Sequence, residues 1–562
     1  MDDSMYNAIL LALLAVSILT FQLRRGASRR RRPPGPRTLP VIGSVHHVVN
    51  TLVHRSLRDL AAVHGPIMML KIGPMPLVVV TSRELAREVL KVQDPNFANR
   101  PRLLVGGICG YGWADIIFAP TSDYWRKIRK LCIQEVLSPK RILSFQTIRE
   151  EEVARQVDAI RAAAGAGGGG APVNLTRMLY DISSRTISRS SFGEVRPDMP
   201  VFQDAIKRVI GLSSGFNVPD LFPRLREVLG ELTGMKRKLR EIHRTFDAIL
   251  VDIIAKRRRE RAQMVAAGKE VVDENVVDVM LTLQKNDHAW GFPLTDNTIK
   301  AVVLVSLVLY YCISSTFRSS SVDYLLIRDS IPSTKNLYST RYLIIYIQHA
   351  QDMFAGGTGT SGSSTEWAMS EIVRNPRVMK KLQEEIRRTF RGKESITETD
   401  LRSSDLKYLK LVMKEAIRLH PAAPLLVPRE SIDTAELGGY VVPGGSRIVV
   451  NAWAISRDPR YWKDPEEFRP ERFAEDGAVD FYGLHFEYTP FGAGRRMCPG
   501  YNYGLAGMEL ALLQLMYHFD WRLPPGVDEL DMEEAMGLGV RRKNPLMLCA
   551  TPYVPEPALP VG

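Results

Sequence analysis

The sequence predicts a mainly α-helical protein with small β-sheets, which follows an N-terminal transmembrane helix. Three observations predict this class. Apolar residues recur at helical spacing in several long segments, the longest of which is 235–261. Alternating apolar residues over 61–82 are typical of short strands. Residues 6–23 are uncharged and mostly apolar, which is typical of a membrane span.

The N-terminal apolar run has 18 residues, which as an α-helix would span roughly 27 Å, close to the core of a thin bilayer. Asp2 and Asp3 precede it, and arginines follow it at 24, 25 and 29–32. The positive-inside rule therefore predicts a single-pass anchor in the endoplasmic reticulum, with the rest of the chain facing the cytosol. A cleaved signal peptide is the alternative, but its positive charge would precede the apolar run.

Prolines after the apolar run predict a stiff hinge in front of one large body. The expected domains are 1–23 (luminal tip and anchor), 24–40 (basic and proline-rich hinge) and 41–562 (globular domain).

An apolar content of 45% is enough for a large core. Five scattered cysteines without a CxxC pair indicate a reducing compartment. The net charge of +13 comes without a nucleic-acid motif, so a membrane surface or an acidic protein is the expected partner, and nucleic acid is not.

The remaining elements follow in chain order from periodicity and from helix-breaking residues. Helices are predicted at 83–92, from 125 onwards, and at 180–192, 200–210, 235–261, 371–389, 406–420 and 504–519. Glycines between 99 and 120, and alanines and glycines over 162–171, predict loops.

Residues 490–500 place one cysteine in a glycine-rich turn, directly before an apolar helix. A thiolate that ligates haem iron needs such a turn, because backbone amides can then approach the sulfur. A buried structural cysteine is the alternative. The segment fits the pattern F-x-x-G-x-R-x-C-x-G at Phe491, Gly494, Arg496, Cys498 and Gly500, which favours the haem ligand.

On these residues the chain resembles a cytochrome P-450 of the plant microsomal type that acts in specialised metabolism. The resemblance covers residues 33–552 apart from 305–351, and it implies a helix-rich, triangular, haem-binding body. It implies haem b as the cofactor, with Cys498 as the axial thiolate and metal ligand. Phe491, Gly494 and Gly500 would shape the loop around the cofactor.

Further haem contacts are implied by the same resemblance. Trp125 and Arg129 are four residues apart on a basic helix and therefore share a face. Alone, the pair is also typical of a solvated helix, but in the family a W-x-x-x-R pair binds a haem propionate. Arg429 and Arg496 are further propionate candidates by resemblance.

A structural network is predicted downstream of the helix at 406–420. Glu415 and Arg418 form an E-x-x-R pair, which by itself is a common surface feature. Arg472, in the segment Pro-Glu-Arg-Phe, completes the family's buried Glu-Arg-Arg network. Its role would be structural, because breaking a buried ion pair leaves a charge without compensation.

Residues 352–361 resemble the oxygen-activating helix of the family, whose pattern is Ala/Gly-Gly-x-Asp/Glu-Thr-Thr/Ser. Gly357 lets a ligand approach the helix closely. Thr360 carries the hydroxyl that would hydrogen-bond dioxygen and pass protons to it, although a hydroxyl bonded to its own helix is the alternative. Gly359 stands where the family has its acid. Proton delivery is therefore expected to depend on water or on a neighbouring hydroxyl such as Ser361.

The 47 residues 305–351 interrupt this helix and have a foreign composition. They contain no glycine, one alanine, nine serines and six of the chain's 19 tyrosines. Valine codons begin with GT and glutamine can be encoded by CAG, the usual first and last letters of an intron. We therefore expect Val305 to Gln351 to be a translated intron, with a genuine surface insertion as the alternative. The apolar run at 301–313 is too short for a second membrane span.

The resemblance implies a haem-thiolate monooxygenase that inserts one oxygen atom of O2 into a lipophilic small molecule, with a terpenoid favoured. Electrons would come from NADPH through cytochrome P-450 reductase, possibly aided by cytochrome b5, because the chain has no flavin or dinucleotide motif. Pocket walls inferred by resemblance are Gly107, Ile117, Ala355, Gly356, Ala423, Leu426, Val427 and Leu538. Their small, apolar character predicts a hydrophobic substrate.

Two other functions stay open at this point. A reductase-independent enzyme that rearranges peroxides or dehydrates its substrate would keep the fold, but such relatives commonly depart at the oxygen-activating threonine, and Thr360 is present. A non-catalytic membrane haem binder or pseudoenzyme is the second alternative, if 305–351 is retained in the protein.

Overall fold

The computed structural model describes residues 32–39, 43–48, 52–166, 171–198, 201, 205, 208, 217–285, 290–311, 358–474, 479–535 and 540–554. The predicted anchor at 6–23 lies outside these residues, as does most of 305–351. None of the helices within the described ranges is both long and apolar enough to cross a bilayer.

Helices dominate the described residues, which confirms the predicted helix-rich class. The helices of the first half are α1 (Val53–His64), α2 (Arg83–Arg87), α3 (Asp94–Phe97), α4 (Leu104–Ile108), α5 (Asp123–Leu131), α6 (Pro139–Ser144), α7 (Gln146–Ala166), α8 (Leu175–Phe192), α9 (Val218–Leu221), α10 (Arg226–Leu232), α11 (Met235–Ala266), α12 (Val276–Lys285) and α13 (Asp296–Tyr311). Those of the second half are α14 (Thr358–Arg374), α15 (Pro376–Thr389), α16 (Glu398–Ser403), α17 (Lys407–Leu419), α18 (Ala452–Ile455) and α19 (Tyr501–His518).

Short 3-10 and π-helical turns extend or join these helices. The 3-10 turns are Val45–His47, Pro223–Leu225, Pro470–Phe473 and Gly494–Arg496, and the π-helical turns are Glu88–Val92 after α2 and Cys132–Val136 after α5.

Small sheets complete the fold, as predicted. The strands are β1 (Ile67–Ile72), β2 (Met75–Val80), β3 (Pro172–Asn174), β4 (Arg429–Glu430), β5 (Ala435–Leu437), β6 (Tyr440–Val442), β7 (Arg447–Val450), β8 (Phe519–Arg522), β9 (Glu534–Ala535), β10 (Arg541–Arg542) and β11 (Met547–Pro552). One sheet has the order β1-β2-β7-β4, in which only β2 and β7 are parallel, with Val78 opposite Ile448. A second sheet has the order β3-β11-β8.

A bundle of α7, α8, α14 and α19 forms the centre that positions the cysteine loop. Trp367 on α14 and Leu510, Leu512 and Leu513 on α19 are fully buried. The loop with Cys498 ends where α19 begins, so this apolar helix fixes the position of the cysteine in the protein interior.

Four segment predictions need correction. Residues 61–64, predicted as strand, are the end of α1, which stops at Gly65 because this residue has a φ of 96°. The loop predicted at 162–171 begins later, since α7 continues to Ala166. The loop predicted at 99–120 contains α4. The helix predicted at 371–389 is two helices, because Pro376 has no backbone N–H and begins α15.

Candidate functional site: a cysteine among buried arginines

The cysteine loop is a tight turn that accepts only glycine at two positions. The backbone N–H of Cys498 donates to the carbonyl oxygen of Phe491 at 2.9 Å. Gly492 and Gly494 both have a φ of 67°, a conformation that favours glycine. A β-carbon at Gly494 would lie 2.1 Å from the carbonyl oxygen of Leu90. The cysteine loop therefore packs so closely on the backbone of the π-helical turn Glu88–Val92 that only glycine fits at position 494.

Cys498 differs from the other cysteines that the structure describes. It is partly exposed, whereas Cys109, Cys132 and Cys549 are buried. Burial raises the pKa of the Cys498 thiol, while the backbone N–H of Gly500 and the charge of Arg129 act to lower it. A bound metal cation would oppose this shift, because it favours the thiolate.

Arg496 lies buried beside the loop, where backbone oxygens and an aromatic ring surround its guanidinium. Its Nε donates to the carbonyl oxygen of Ala98 at 2.9 Å, and its Nη2 donates to that of Ala119 at 2.7 Å. The guanidinium carbon lies 3.7 Å from the centroid of the Trp125 ring, a cation–π distance. Trp125 is itself held by a hydrogen bond from its Nε1 to the carbonyl oxygen of Ile116, at 3.1 Å.

Three further arginines join Arg496. Arg129 donates to the carbonyl oxygen of Met497, next to the cysteine. Arg429 donates to Asp94 Oδ1 at 2.6 Å and to the carbonyl oxygen of Ala493 at 2.8 Å. Arg100 is buried, and its Nη1 donates to the carbonyl oxygen of Val427 at 2.6 Å. The structure thus brings Trp125, Arg129, Arg429 and Arg496 together with Cys498.

Positive charge exceeds negative charge in this cluster. Four guanidiniums face two carboxylates among the described residues, Asp94 and Asp115. Burial, and then the charges of Arg429 and Arg129, lower the pKa of Arg496 to about 9. Burial also raises the pKa of Asp115, whose Oδ2 has no hydrogen-bond partner. Because uncompensated buried charge is costly, the cluster fits a dianionic ligand beside Cys498, and the two propionates of haem b have that charge.

Glu415, Arg418 and Arg472 form a buried network on the other side of the loop. Arg418 donates to both carboxylate oxygens of Glu415, at 2.7 Å and 2.9 Å, and Arg472 donates to Glu415 Oε1 at 2.9 Å. The two arginines also donate to the carbonyl oxygens of Lys463, Ser456, Asp464, Pro465 and Glu467. This network holds the segment that leads from α18 to the cysteine loop.

The predicted oxygen-activating segment is only partly described. The backbone of Gly359 and Thr360 lies in the first turn of α14, and Gly357 lies outside the described residues. Ser361 comes close to α19, since a β-carbon at Gly504 would lie 3.1 Å from Ser361 Oγ.

The predicted pocket walls at Ile117, Val427 and Leu426 lie beside the arginine cluster. The carbonyl oxygen of Ile117 accepts from Arg100 Nε at 3.0 Å, and Arg100 also binds the carbonyl of Val427. Leu426 has a φ of 53°, and its Cδ1 would be 3.8 Å from a β-carbon at Gly492 of the cysteine loop.

Gly107 and Ala423 complete the described part of the predicted pocket. Gly107 lies under the Trp113 ring, whose nearest atoms would be 3.0 Å from a β-carbon at this position. Ala423 accepts a backbone hydrogen bond from Leu426 at 3.1 Å. Ala355, Gly356 and Leu538 lie outside the described residues.

Sequence reasoning missed three members of this cluster, Arg100, Asp94 and Asp115. Arg100 and Asp94 find their partners more than 300 positions away, at Val427 and Arg429. The signal available was weak: an arginine between Asn99 and Pro101, and an aspartate three residues before the phenylalanine that closes α3.

The comparisons with known proteins show the family. The model of the family Cytochrome P-450 matches residues 33–308 and 339–550. Premnaspirodiene oxygenase of Hyoscyamus muticus is 42% identical over 98% of each chain, and desmethyl-deoxy-podophyllotoxin synthase of Sinopodophyllum hexandrum is 42% identical over 95% of each. A zebra fish cytochrome P-450 in a structure with abiraterone has a TM-score of 0.65 at 21% identity, and the match covers 89% of this chain and 99% of that one. This last likeness shows the fold alone.

The fold and the site define a haem-thiolate protein. The chain belongs to the cytochrome P-450 family, as a member of the plant type. It is a monooxygenase that uses haem b with a thiolate-ligated iron.

Proposed function

We propose that this enzyme inserts one oxygen atom of O2 into a lipophilic plant specialised metabolite, with a terpenoid favoured, and that NADPH–cytochrome P-450 reductase supplies its electrons. The observation that carries the proposal is that Arg129 and Arg429 both donate to backbone carbonyls of the loop that carries Arg496 and Cys498, with the buried Arg100 close to the same three guanidiniums. The names of relatives such as premnaspirodiene oxygenase support the substrate class.

In this proposal Cys498 would hold the haem iron through its sulfur, and Arg100, Arg129, Arg429 and Arg496 would bind the propionates. Bound haem supplies the oxidising chemistry, since a thiolate ligand favours cleavage of the O–O bond. The protein's own contribution is orientation. Trp125 keeps Arg496 in place through its ring, and Asp94 keeps Arg429 in place by an ion pair.

Thr360 is the proposed proton-handling hydroxyl at the start of α14. Gly359 precedes it in place of the family's acid, so no carboxylate adjoins the threonine in the chain. We infer that water has to carry protons to this point, which makes uncoupled consumption of NADPH the expected weakness of the enzyme.

The substrate is proposed to lie between the 104–117 segment and residues 423–427. Gly107, Ile117, Ala423, Leu426 and Val427 offer small or apolar surface there. Gly356, Ala355 and Leu538 are proposed to complete the walls. An apolar pocket beside a thiolate suits a hydrocarbon or a lightly oxidised derivative of one.

We infer that the enzyme is anchored in the endoplasmic reticulum membrane by residues 6–23, with its catalytic domain in the cytosol. The apolar run, the acidic residues before it and the arginines after it support this topology. A reductase in the same membrane, with cytochrome b5 as a second possible donor, would then reach the basic surface of the domain.

Residues 305–351 are proposed to be absent from the working enzyme. The family model leaves residues 309–338 unmatched, which supports an insertion inside the segment that the composition singles out. Without it, α13 would continue directly into the segment that leads to α14.

Turnover assays test the proposed reaction. The protein lacking 305–351, reductase and NADPH are incubated with premnaspirodiene and a terpene panel under labelled dioxygen. We expect a product that carries one labelled oxygen atom and that disappears when either NADPH or reductase is omitted. Turnover that persists without both would instead favour rearrangement or dehydration chemistry. Bound haem with no product from any panel would favour the non-catalytic binder.

A further inference from the structure

A buried carboxylate joins two segments that lie far apart in the chain. Asp220 on α9 is fully buried, and its Oδ1 accepts a hydrogen bond from the backbone N–H of Leu104 at 3.0 Å. Leu104 is the first residue of α4, and the residue before it, Leu103, has no side chain that could cap the helix. Asp220 therefore supplies, from 116 positions along the chain, the acceptor that α4 lacks.

A second contact holds the same residue. A β-carbon at Gly230 on α10 would lie 3.0 Å from Leu104 Cδ1, so α10 packs directly on the Leu104 side chain. Asp220 and Gly230 lie near the two ends of residues 218–232, which we call the strap. The strap thus contacts Leu104 twice, once by a hydrogen bond and once by packing.

Arginines surround the Asp220 carboxylate. Arg447 on β7 donates to the backbone carbonyl of Asp220 at 2.9 Å, and Arg226 Nε lies 3.8 Å from Asp220 Oδ1. Burial raises the pKa of Asp220, while the N–H of Leu104 and the charges of Arg447 and Arg226 oppose this shift. Asp220 Oδ2 and Arg226 Nε are buried without a hydrogen-bond partner.

The apolar side chains on the outer side of the strap contribute little to holding it. Leu225, Val228 and Leu232 are 56%, 58% and 76% exposed. The strap is held instead by the inner contacts at Asp220 and Gly230 and by exposed ion pairs of Glu227 and Glu231 with α11. Because exposed ion pairs contribute little, the inner contacts have a large share in fixing the strap.

We propose that Asp220 is a positioning residue for the substrate pocket, which holds α4 to the strap and so fixes the wall that carries Gly107. The inference rests on the pocket given under the proposed function. Loss of the carboxylate releases α4 and the strap together and widens the space above the cysteine loop.

Amide hydrogen exchange of the haem-loaded protein, produced from its natural transcript, tests the coupling between the two segments. In Asp220→Ala we expect exchange in both 104–108 and 218–232 to be at least about tenfold faster, the effect of losing one hydrogen bond to a charged group. Exchange in α17 should stay unchanged. Glu231→Gln is the matched control, because it neutralises a carboxylate of the same strap whose ion-pair partners, Lys236 and Arg240, lie on α11. Faster exchange in 218–232 but not in 104–108 would overturn the proposal.

Ligand binding provides a readout that a purely structural role would not move. Imidazole and 4-phenylimidazole both bind haem iron, but the phenyl ring makes the second the larger ligand, which reaches further into the proposed pocket. In Asp220→Ala we expect the ratio of their dissociation constants to change at least threefold, about 0.65 kcal/mol by RT ln 3, with the value for imidazole itself unchanged. Asp220→Asn keeps an acceptor for Leu104 and should restore most of the normal ratio.

If Asp220→Ala does not fold, Asp220→Ser gives the same test, because its shorter side chain removes the acceptor for the N–H of Leu104 while keeping a polar group. Unaltered exchange in 104–108 and 218–232 in this variant overturns the proposal. Failure of the proposed function would be separately visible. The hydrogen exchange of these two segments can be measured even in a protein that turns over no substrate.

Discussion

Arg496 and Arg495 are neighbours in the chain with opposite surroundings. Arg496 is buried between the Trp125 ring and the carbonyl oxygens of Ala98 and Ala119. The side chain of Arg495 is 50% exposed and lies 3.5 Å from Asp94. The pair therefore offers a controlled test of the proposed propionate contacts.

Arg496→Ala should weaken haem retention at least about tenfold, because a charge-assisted hydrogen bond contributes roughly 1.5–3 kcal/mol. Transfer of haem to apomyoglobin measures this. Arg495→Ala removes an exposed charge and should change retention less than about twofold. Equal loss in both variants would contradict a specific role for Arg496.

Gly359→Asp tests the missing acid next to Thr360. A carboxylate at this position would supply protons that water supplies now, so we expect the yield of product per NADPH to rise severalfold and hydrogen peroxide release to fall. Gly359→Asn has the same size without the acid and should leave the yield unchanged. A similar gain in both variants would show that the size of the side chain at position 359, and not proton supply, raises the yield.

At the same scale, sequence patterns predicted residues that belong to short local motifs. Cys498 and Arg496 share one turn, and Trp125 and Arg129 share one helix face, so the motif and the spatial neighbourhood coincide. Arg100 could not be predicted in this way, because its position depends on how the 99–120 segment folds against residues 427 and 428. No spacing in the sequence encodes that contact.

Among the elements, α17 carries Glu415, the buried carboxylate that pairs with both Arg418 and Arg472. Glu415 has no exposed side-chain surface, and neither has Arg418. On α15, Glu384 and Lys380 form a helical pair of the same kind, but their side chains are 65% and 80% exposed and lie 3.9 Å apart.

Glu415→Gln should lower the free energy of unfolding by about 3–5 kcal/mol, because it leaves two buried guanidiniums without their counter-charge. Denaturant titration followed by tryptophan fluorescence measures this loss. Glu384→Gln, the exposed counterpart, should leave the free energy unchanged within about 0.5 kcal/mol. Comparable losses in the two variants would contradict the claim that the buried Glu415 network stabilises the fold more than an exposed ion pair does.

Element boundaries show where local reasoning fails. The alternation of apolar residues near 61–82 correctly indicated β1 and β2. The predicted strand segment also included the last turn of α1, because Ala61 and Val63 fit the periodicity of a strand as well as that of a helix. The helix end depends on Gly65, whose N–H bonds to the carbonyl oxygen of Ala61 and whose φ of 96° favours glycine. By contrast, the ends predicted for α17 at Pro421 and for α19 agree within a few residues, because proline and the periodicity coincide there.

For the whole molecule, the origin of residues 305–351 decides whether α13 and α14 belong to one helix. Sequencing of transcripts across codons 304–352 should yield messages that mostly lack the segment. As a control, any known intron of the same gene should be removed to the same extent. Messages that mostly retain the segment would contradict the intron hypothesis and make 305–351 a genuine insertion.

The central claim is that the thiolate of Cys498 binds the iron of haem in the interior of the domain. The difference spectrum of the reduced protein with and without carbon monoxide tests it most directly. We predict the band typical of a thiolate ligand in the unchanged protein and in the control Cys132→Ser, and its disappearance in Cys498→Ser even where haem stays bound. The same band in Cys498→Ser, or no haem in a folded protein with Cys498 intact, would contradict the claim.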